Sequence, residues 1–256
     1  MHIGANDYAT PPAPWMNLTI EEWGPAPWMD PDAFFILRML WTGISGWIAV
    51  YTIFATKEDS VEYPFNGHRY LTHWGMYGTW LCFMLLWTPY TLRLWDYQPL
   101  PSFVVDWLND VSVYMYQCLL IWEIIITAVY WVGIDDPYTD YTLEVFMSGV
   151  GRHILPLFCL TMDFAFSSMR FTGFKTWLNM GLSIWAELMY VFSNFAYNQI
   201  YADNVYYFLD WTQEPLLAGI YSVVIVLANF PLWYLAIAIS SLKDSYWVEK
   251  EALIHE

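Results

Sequence analysis

Charged residues are scarce in this sequence, and basic residues are the scarcest. Only 13% of the 256 residues are charged, and nine Lys and Arg stand against 25 Asp and Glu, so the formal net charge is −16. A chain this acidic offers no basic surface for a phosphate backbone, which excludes nucleic acid as a partner. Hydrophobic residues make up 58% of the chain and aromatic residues 21%, a composition too apolar for an ordinary soluble domain.

Cysteine is also rare, and the three cysteines, Cys82, Cys118 and Cys159, have no paired spacing. We therefore expect free, buried thiols, with neither disulfides nor a zinc site. His68 and His73 are five residues apart, a poor spacing for one helical face, so a metal pair is not expected there either. The sequence thus predicts no metal and no cofactor.

Long apolar runs are abundant. Six of them reach the roughly 20 residues that a helix needs to cross a bilayer, and Trp and Tyr crowd many of their ends, as expected at headgroup level. Strands are not expected, because ten-residue alternating segments do not recur. The sequence therefore predicts an all-α, multi-pass integral membrane protein, a six-helix transmembrane bundle. The predicted spans are about Ala33–Ala55, Tyr70–Tyr90, Ser112–Gly133, Leu143–Ser168, Thr176–Tyr197 and Pro215–Ser241.

These spans divide the chain into an N-terminal arm (1–32), a six-span domain (33–241) and a C-terminal tail (242–256). Six passes put both termini on one side, and six basic residues fall on that side against three on the other. Because basic residues favour the cytosolic side, we expect both termini in the cytosol or the mitochondrial matrix. An endomembrane, the plasma membrane and the mitochondrial inner membrane all fit.

The N-terminal arm is acidic and rich in Pro and Trp. Its first thirty residues contain no Lys or Arg, which argues against a cleaved signal peptide or presequence. The sequence "PAPWM" occurs twice, at Pro12–Met16 and Pro25–Met29. Since exposed tryptophans seek apolar contact, the arm is expected either to lie along lipid headgroups or to pack on another membrane subunit.

Three carboxylates, Glu123, Asp163 and Glu187, lie well inside predicted spans. Charge in lipid is costly, so each should face the bundle interior with a polar partner. Each of them is expected either to be a hydrogen-bonded structural group or to line a polar cavity or a proton path. A transporter is not favoured, since broken half-helices and an inverted repeat are missing, and a retinal pump would need a lysine in the last span.

Thr72 and His153 form a candidate reaction site. Thr72 in "YLTHWG" and His153 in "VGRHILP" enter their spans from the same side and at similar depth. A threonine hydroxyl needs a neighbouring base to attack an ester, and His153 could supply it. The alternatives are a helix cap or packing residue for Thr72 and a carbonyl hydrogen bond for His153. Tyr70, Trp74, Asp210 and Trp211 are the predicted pocket rim, with Tyr70, Trp74 or a backbone N–H as oxyanion donor.

Four stretches also carry a family resemblance. They are "PDAFFILRMLWTGISGWIAVYTI", "HRYLTHWGMYGTWLCF", "RHILPLFCLTMDF" and "MYVFSNFAYNQIYADNVYYFLDW". By their order and spacing, from about Pro31 to Ser241, the chain resembles the rolling stone branch of the androgen-induced membrane proteins. The resemblance does not cover the N-terminal arm.

The resemblance implies a function. Better-studied members of that superfamily use a threonine in an "FLT" segment and a histidine in a later span to hydrolyse fatty acid esters of hydroxy fatty acids. These roles fall on Thr72 in "YLT" and on His153, whose spacing to the following "LP" is shorter here. The rolling stone branch itself is linked to cell fusion. A lipid-ester hydrolase, a fusion or interaction protein, and an accessory subunit of a larger membrane complex, for example a respiratory one, therefore stay open, with membrane lipids as expected partners.

Overall fold

The computed structural model describes residues 24–26, 28–55, 71–94, 101–131, 149–201 and 206–254. Within these ranges the regular secondary structure is helical; there is one isolated bridge and no named strand. This confirms the all-α class. The helices are α1 (Pro31–Ala55), α2 (Leu71–Leu94), α3 (Ser102–Val129), α4 (Leu155–Phe166), α5 (Gly173–Tyr201) and α6 (Pro215–Ile254), with a 3₁₀ turn at Tyr207–Leu209.

Three of the helices are long and apolar enough to cross a membrane. The qualifying segments are Asp32–Ile53 in α1, Asp110–Val129 in α3 and Pro215–Tyr246 in α6, whereas α4 is a shorter apolar helix. Length and composition therefore mark a membrane protein, as the sequence predicts.

Local chemistry explains where two of these helices begin. The Asp30 carboxylate accepts the backbone N–H groups of Asp32 and Ala33 at 3.0 and 2.9 Å, so Asp30 caps α1, and Pro31 takes the first helical position. Pro156 lies in the first turn of α4. Since proline has no N–H to donate to the preceding turn, the helical residues 149–153 and α4 are separated by a break at Ile154.

Two helices extend well past the predicted spans. Helix α3 begins at Ser102, ten residues before the predicted start at Ser112, and α6 continues through the predicted tail to Ile254. Hydropathy marks only the lipid-facing part of a helix, while Leu, Lys, Glu and Ala beyond it still favour helix. The 40 residues of α6 span about 60 Å, roughly twice a hydrocarbon core, so its last turns extend beyond the membrane.

The six helices alternate in direction. At one end, Arg38 near the start of α1 pairs with Asp163 near the end of α4, and Arg170 before α5 pairs with Asp244 late in α6. At the opposite end, the N–H of Leu71 at the start of α2 donates to the Tyr190 hydroxyl in the second half of α5. We call the first the arm end and the second the cavity end.

The second "PAPWM" copy closes the arm end. The Ala26 N–H donates to the Phe166 carbonyl and the Ser168 N–H to the Gly24 carbonyl, both at 2.8 Å, and Trp28 packs edge-on against Phe166. We call these contacts the clip. This part of the arm therefore packs on its own chain, while the first copy lies outside the described residues.

Helix α5 is polar inside and apolar outside. Its buried face repeats every three or four residues, whereas the exposed face carries large apolar side chains such as Trp185, Leu188 and Phe192. A water-soluble helix has the opposite pattern. We call the buried face the polar stripe; its residues are Thr176, Asn179, Ser183, Glu187, Tyr190, Asn194 and Asn198.

The apolar core lies where α2, α3, α4 and α6 meet. Tyr116 and Trp233 are fully buried in it, with the Phe171 ring 5.2 Å from that of Trp233. Helix α2 presents two glycines to α3: a Cβ on Gly75 would stand 2.4 Å from a Glu123 oxygen, and one on Gly78 would stand 2.7 Å from a Leu119 methyl. Small residues therefore allow the close approach of these two helices.

Candidate functional site

A cavity opens at the cavity end, among the first turn of α2, the end of α3, the middle of α5 and the 3₁₀ turn. Its lining is mainly aliphatic and aromatic, with a few polar groups, which is the usual character of a small-molecule site. The lining residues are Leu71, Thr72, Ile125, Ile126, Val129, Tyr130, Glu187, Tyr190, Val191, Tyr206, Phe208, Leu209 and Ile225.

Thr72 lies in the cavity wall, and its side chain is hydrogen-bonded to the Tyr206 hydroxyl. The hydroxyls of Tyr206 and Tyr190 are also hydrogen-bonded to each other, and Tyr190 accepts the Leu71 N–H at 3.0 Å. These contacts satisfy groups that the first turn of a helix leaves without partners. Burial raises the pKa of Tyr206, while its hydrogen bonds to Thr72 and Tyr190 lower it, so the net shift keeps a neutral hydroxyl facing Thr72.

His153 lies beside the cavity rather than in its wall. Its ring stacks on Tyr130 with the ring centroids 3.6 Å apart, and its carbonyl accepts the Thr127 hydroxyl. The Nδ1 atom is buried without a hydrogen-bond partner. Among the described residues Thr72 and His153 share no hydrogen bond, and Tyr130, which does line the cavity, contacts the imidazole.

The predicted rim residues take different places. Trp74 is half exposed and packs edge-on against Tyr190 at 5.7 Å. Asp210 and Trp211 directly follow the cavity-lining Leu209 without lining the cavity themselves: the Asp210 carboxylate accepts two backbone N–H groups in the turn before α6, and Trp211 packs on Phe195. Tyr70 lies outside the described residues.

Glu187 is the predicted buried carboxylate that lines the cavity. The Asn229 amide donates to it at 2.6 Å, and the Ser183 hydroxyl donates to the amide oxygen of Asn229 at 3.4 Å. Trp122 in turn donates its indole N–H to Ser183 at 2.8 Å. The cavity therefore connects to the polar stripe of α5 through a continuous hydrogen-bonded chain.

The other two carboxylates are buried away from the cavity, as expected for groups that avoid lipid. Glu123 is fully buried; Thr79 donates to one oxygen at 3.5 Å, and the other oxygen has no partner in the described part of the chain. Asp163 is also fully buried and accepts two hydrogen bonds from Arg38, at 2.8 and 3.1 Å. Neither of these two carboxylates lines the cavity.

Sequence reasoning missed two tyrosines at the first turn of α2: Tyr206, which contacts Thr72, and Tyr190, which accepts the Leu71 N–H. Tyr190 and Tyr206 lie more than a hundred residues from Thr72 along the chain, inside a stretch quoted only for the family resemblance. Many tyrosines of this chain lie near span ends, so no local signal separates these two. Within the described ranges, no group of three or more His, Cys, Asp or Glu side chains could hold a metal ion, and the three cysteines are free and buried.

Comparison of the chain with protein-family models, curated proteins and solved structures finds no match in any of the three. We therefore infer function from the geometry of the cavity.

Proposed function

We propose that this chain is a six-span membrane protein that binds a lipid in the cavity. The observation that carries the proposal is an aliphatic and aromatic cavity with hydroxyls and a carboxylate at the cavity end of the alternating helices. The apolar lining suits an acyl chain. The hydroxyls of Thr72, Tyr190 and Tyr206 suit the polar end of the lipid, since they donate and accept hydrogen bonds.

The inverted pattern of α5 supports the six-span count. Its polar stripe lowers its mean hydropathy, while Trp185, Leu188 and Phe192 on its outer face stand 61%, 46% and 63% exposed. A face this apolar suits lipid, not water. With six spans, both termini lie on one side, the cytosolic or matrix side according to the basic residues; the alternating directions of the described helices support this topology. Protease protection of terminal tags in sealed vesicles tests the count, and termini on opposite sides would contradict it.

Ester hydrolysis is the second candidate function, and the position of Thr72 in the cavity wall favours it. In this reaction His153 takes the Thr72 proton, the Thr72 oxygen attacks the ester carbonyl, and the alcohol leaves with that proton. Water then hydrolyses the acyl-threonine, so the sum is ester plus water to acid plus alcohol. Thr72 must first leave Tyr206, and the Tyr130 ring must move to admit the imidazole.

Lipid binding is tested by filling the cavity. Ile225 lines it, while the adjacent Val224 is 57% exposed on the same helix. We expect Ile225→Trp to reduce co-purifying lipid, measured by native mass spectrometry, whereas the matched Val224→Trp retains it. Equal lipid in both variants would contradict the proposal.

Hydrolysis is tested on the same preparations with fatty acid esters of hydroxy fatty acids. We expect Thr72→Ala to abolish acid release and Thr72→Ser to retain part of it. Hydrolysis that is unchanged in Thr72→Ala excludes the covalent mechanism. Bound lipid without hydrolysis in the wild type would favour an accessory subunit or an interaction protein, and isolation of the chain with other membrane subunits would separate those two.

A further inference from the structure

The basic residues of this acidic chain almost all have an acceptor within the chain where their side chains are described. Arg38 pairs with Asp163, Arg170 with Asp244 and Lys175 with Asp110. The Lys243 ammonium donates to main-chain carbonyls and lies 4.4 Å from the centre of the Phe164 ring. Each of these cations has an acceptor within its own chain.

Arg152 is the exception within the described side chains. Its Nε atom is buried and has no hydrogen-bond partner, and no carboxylate of the described residues pairs with it. A guanidinium retains its charge under all ordinary conditions. Burying part of it without an acceptor is unfavourable, so this position is suited to an anion from outside the described chain.

The residues around Arg152 also favour binding of an anion. Arg152 and His73 interact electrostatically with the His153 ring, and Arg152 also interacts electrostatically with Tyr77. The Nδ1 atom of His153 is buried without a partner. We call Arg152, His73 and His153 the basic cluster. It contains hydrogen-bond donors and no carboxylate.

The basic cluster and the cavity adjoin each other. The first two turns of α2 supply Leu71 and Thr72 to the cavity and His73 to the cluster, while Tyr130 lines the cavity and stacks on His153. Both features lie where α2 begins and α3 ends, at the cavity end of the bundle. A lipid whose acyl chain enters the cavity would therefore hold its headgroup near Arg152.

We propose that the basic cluster binds the carboxylate or phosphate of a single-chain anionic lipid whose acyl chain occupies the cavity. The proposal depends on the lipid-binding function proposed above and deepens it by naming the lipid class. Arg152 supplies the charged contact, because a guanidinium offers two parallel N–H groups to either anion. His73 and His153 add hydrogen-bond donors beside it.

The experiment compares lipids of one chain length on the full chain in detergent. Radiolabelled palmitate, its monoacylglycerol phosphate and neutral monopalmitoylglycerol are titrated by scintillation proximity, with inorganic phosphate as a competitor. Two variants each remove one positive charge: Arg152→Gln in the basic cluster, and Lys175→Gln at an exposed pair at the arm end. Arg152→Lys keeps the charge, and thermal unfolding shows that each variant is folded.

We expect the wild type to bind at least one anionic lipid more tightly than the neutral glyceride. Arg152→Gln should reduce this preference by roughly tenfold or more and leave binding of the neutral glyceride unchanged. Lys175→Gln should behave as the wild type, and Arg152→Lys should keep part of the preference. Tighter binding of palmitate identifies a carboxylate as the bound group, and tighter binding of the acyl phosphate identifies a phosphate.

Three results would overturn the assignment. Binding of all three lipids without preference in the wild type would show that Arg152 is neutralised within the chain, and cavity binding alone would stand. If inorganic phosphate competed for the site as strongly as the unlabelled monoacylglycerol phosphate does, the acyl chain would contribute nothing to binding. Failure of the neutral glyceride and both anions to bind would refute the proposed function together with this extension.

Discussion

Replacement of Arg38 by Met removes one partner of the buried ion pair at the arm end. The pair has two hydrogen bonds, 2.8 and 3.1 Å long, and its side chains are 6% and 0% exposed. Met retains an apolar stem that can stay packed near Phe34, whose ring centre lies 4.3 Å from the guanidinium carbon. The substitution therefore removes charge and hydrogen bonds while keeping most of the volume.

The expected loss follows from the burial of the remaining carboxylate. Breaking a buried pair by removing one partner costs about 3–5 kcal/mol, because the other charge stays uncompensated. Lys243 lies within electrostatic range of Asp163, so we expect the lower half of that range. For a chain of this length each kcal/mol shifts Tm by roughly 2–4 °C. Arg38→Met should therefore lower Tm by roughly 6–16 °C.

The chain contains its own reporter for this measurement. Cys82, Cys118 and Cys159 are free thiols with exposures of 0%, 3% and 0%, so a thiol-reactive fluorogenic dye reacts with them only when the helices separate. Heating detergent-solubilised protein with the dye gives the midpoint directly. The matched control is Lys175→Met at the exposed pair with Asp110, where loss of the ion pair costs about 0–1 kcal/mol.

The double variant Arg38→Met with Asp163→Val removes both charges of the buried pair. With neither charge left in the interior, we expect stability to return close to that of the wild type or above it. A decrease of less than about 2 °C in Arg38→Met, equal to the control, would refute the reasoning. It would mean that water reaches Asp163 and that the arm end is open.

Three further predictions use the same preparations. Gly75→Ala puts a methyl 2.4 Å from a buried carboxylate oxygen and should destabilise the chain by about 1–3 kcal/mol. Gly43→Ala, which has nothing within 4 Å of its added methyl, should not destabilise it, and equal Tm values in the two variants would contradict this prediction. Asn229→Ala should destabilise by about 1–3 kcal/mol, because it leaves the Glu187 carboxylate without its 2.6 Å donor; an unchanged midpoint would show another donor. Burial raises the pKa of Tyr206 above the value of about 10 in an unfolded chain, so as the pH rises through 10 the unfolded state loses this proton before the folded state does. Tryptophan fluorescence should then show the wild type losing stability more steeply with pH than Tyr206→Phe, and parallel curves would refute that assignment.

Hydropathy located helices but not their ends. Each predicted span overlaps a helix, since apolar runs of this length have no other stable form in lipid. The predicted starts of α3 and α5, at Ser112 and Thr176, fall after the observed starts at Ser102 and Gly173. The missing turns are amphipathic or polar, and a helix continues into them because their residues favour helix whether or not lipid surrounds them.

The carboxylates of the site were easier to predict than its hydroxyls. The high energy of charge in lipid requires Glu123, Asp163 and Glu187 to be inside whatever the arrangement of helices. Thr72 was placed near the cavity by its depth in α2, but depth does not specify which side chain faces it. Tyr206 reaches Thr72 only because the segment before α6 folds back over the start of α2, and a contact across more than 130 residues leaves no local pattern.

The clip has a consequence for how the chain is made. Gly24 and the Ser168 hydroxyl that contacts it are 144 positions apart, so a ribosome adding about 5–20 residues per second needs roughly 7–30 s between them. During that interval α1, α2 and α3 are synthesised, and the second "PAPWM" copy is still without the segment it pairs with. The clip can therefore form only after α1, α2, α3 and α4 have been synthesised, and its formation marks the completion of α4.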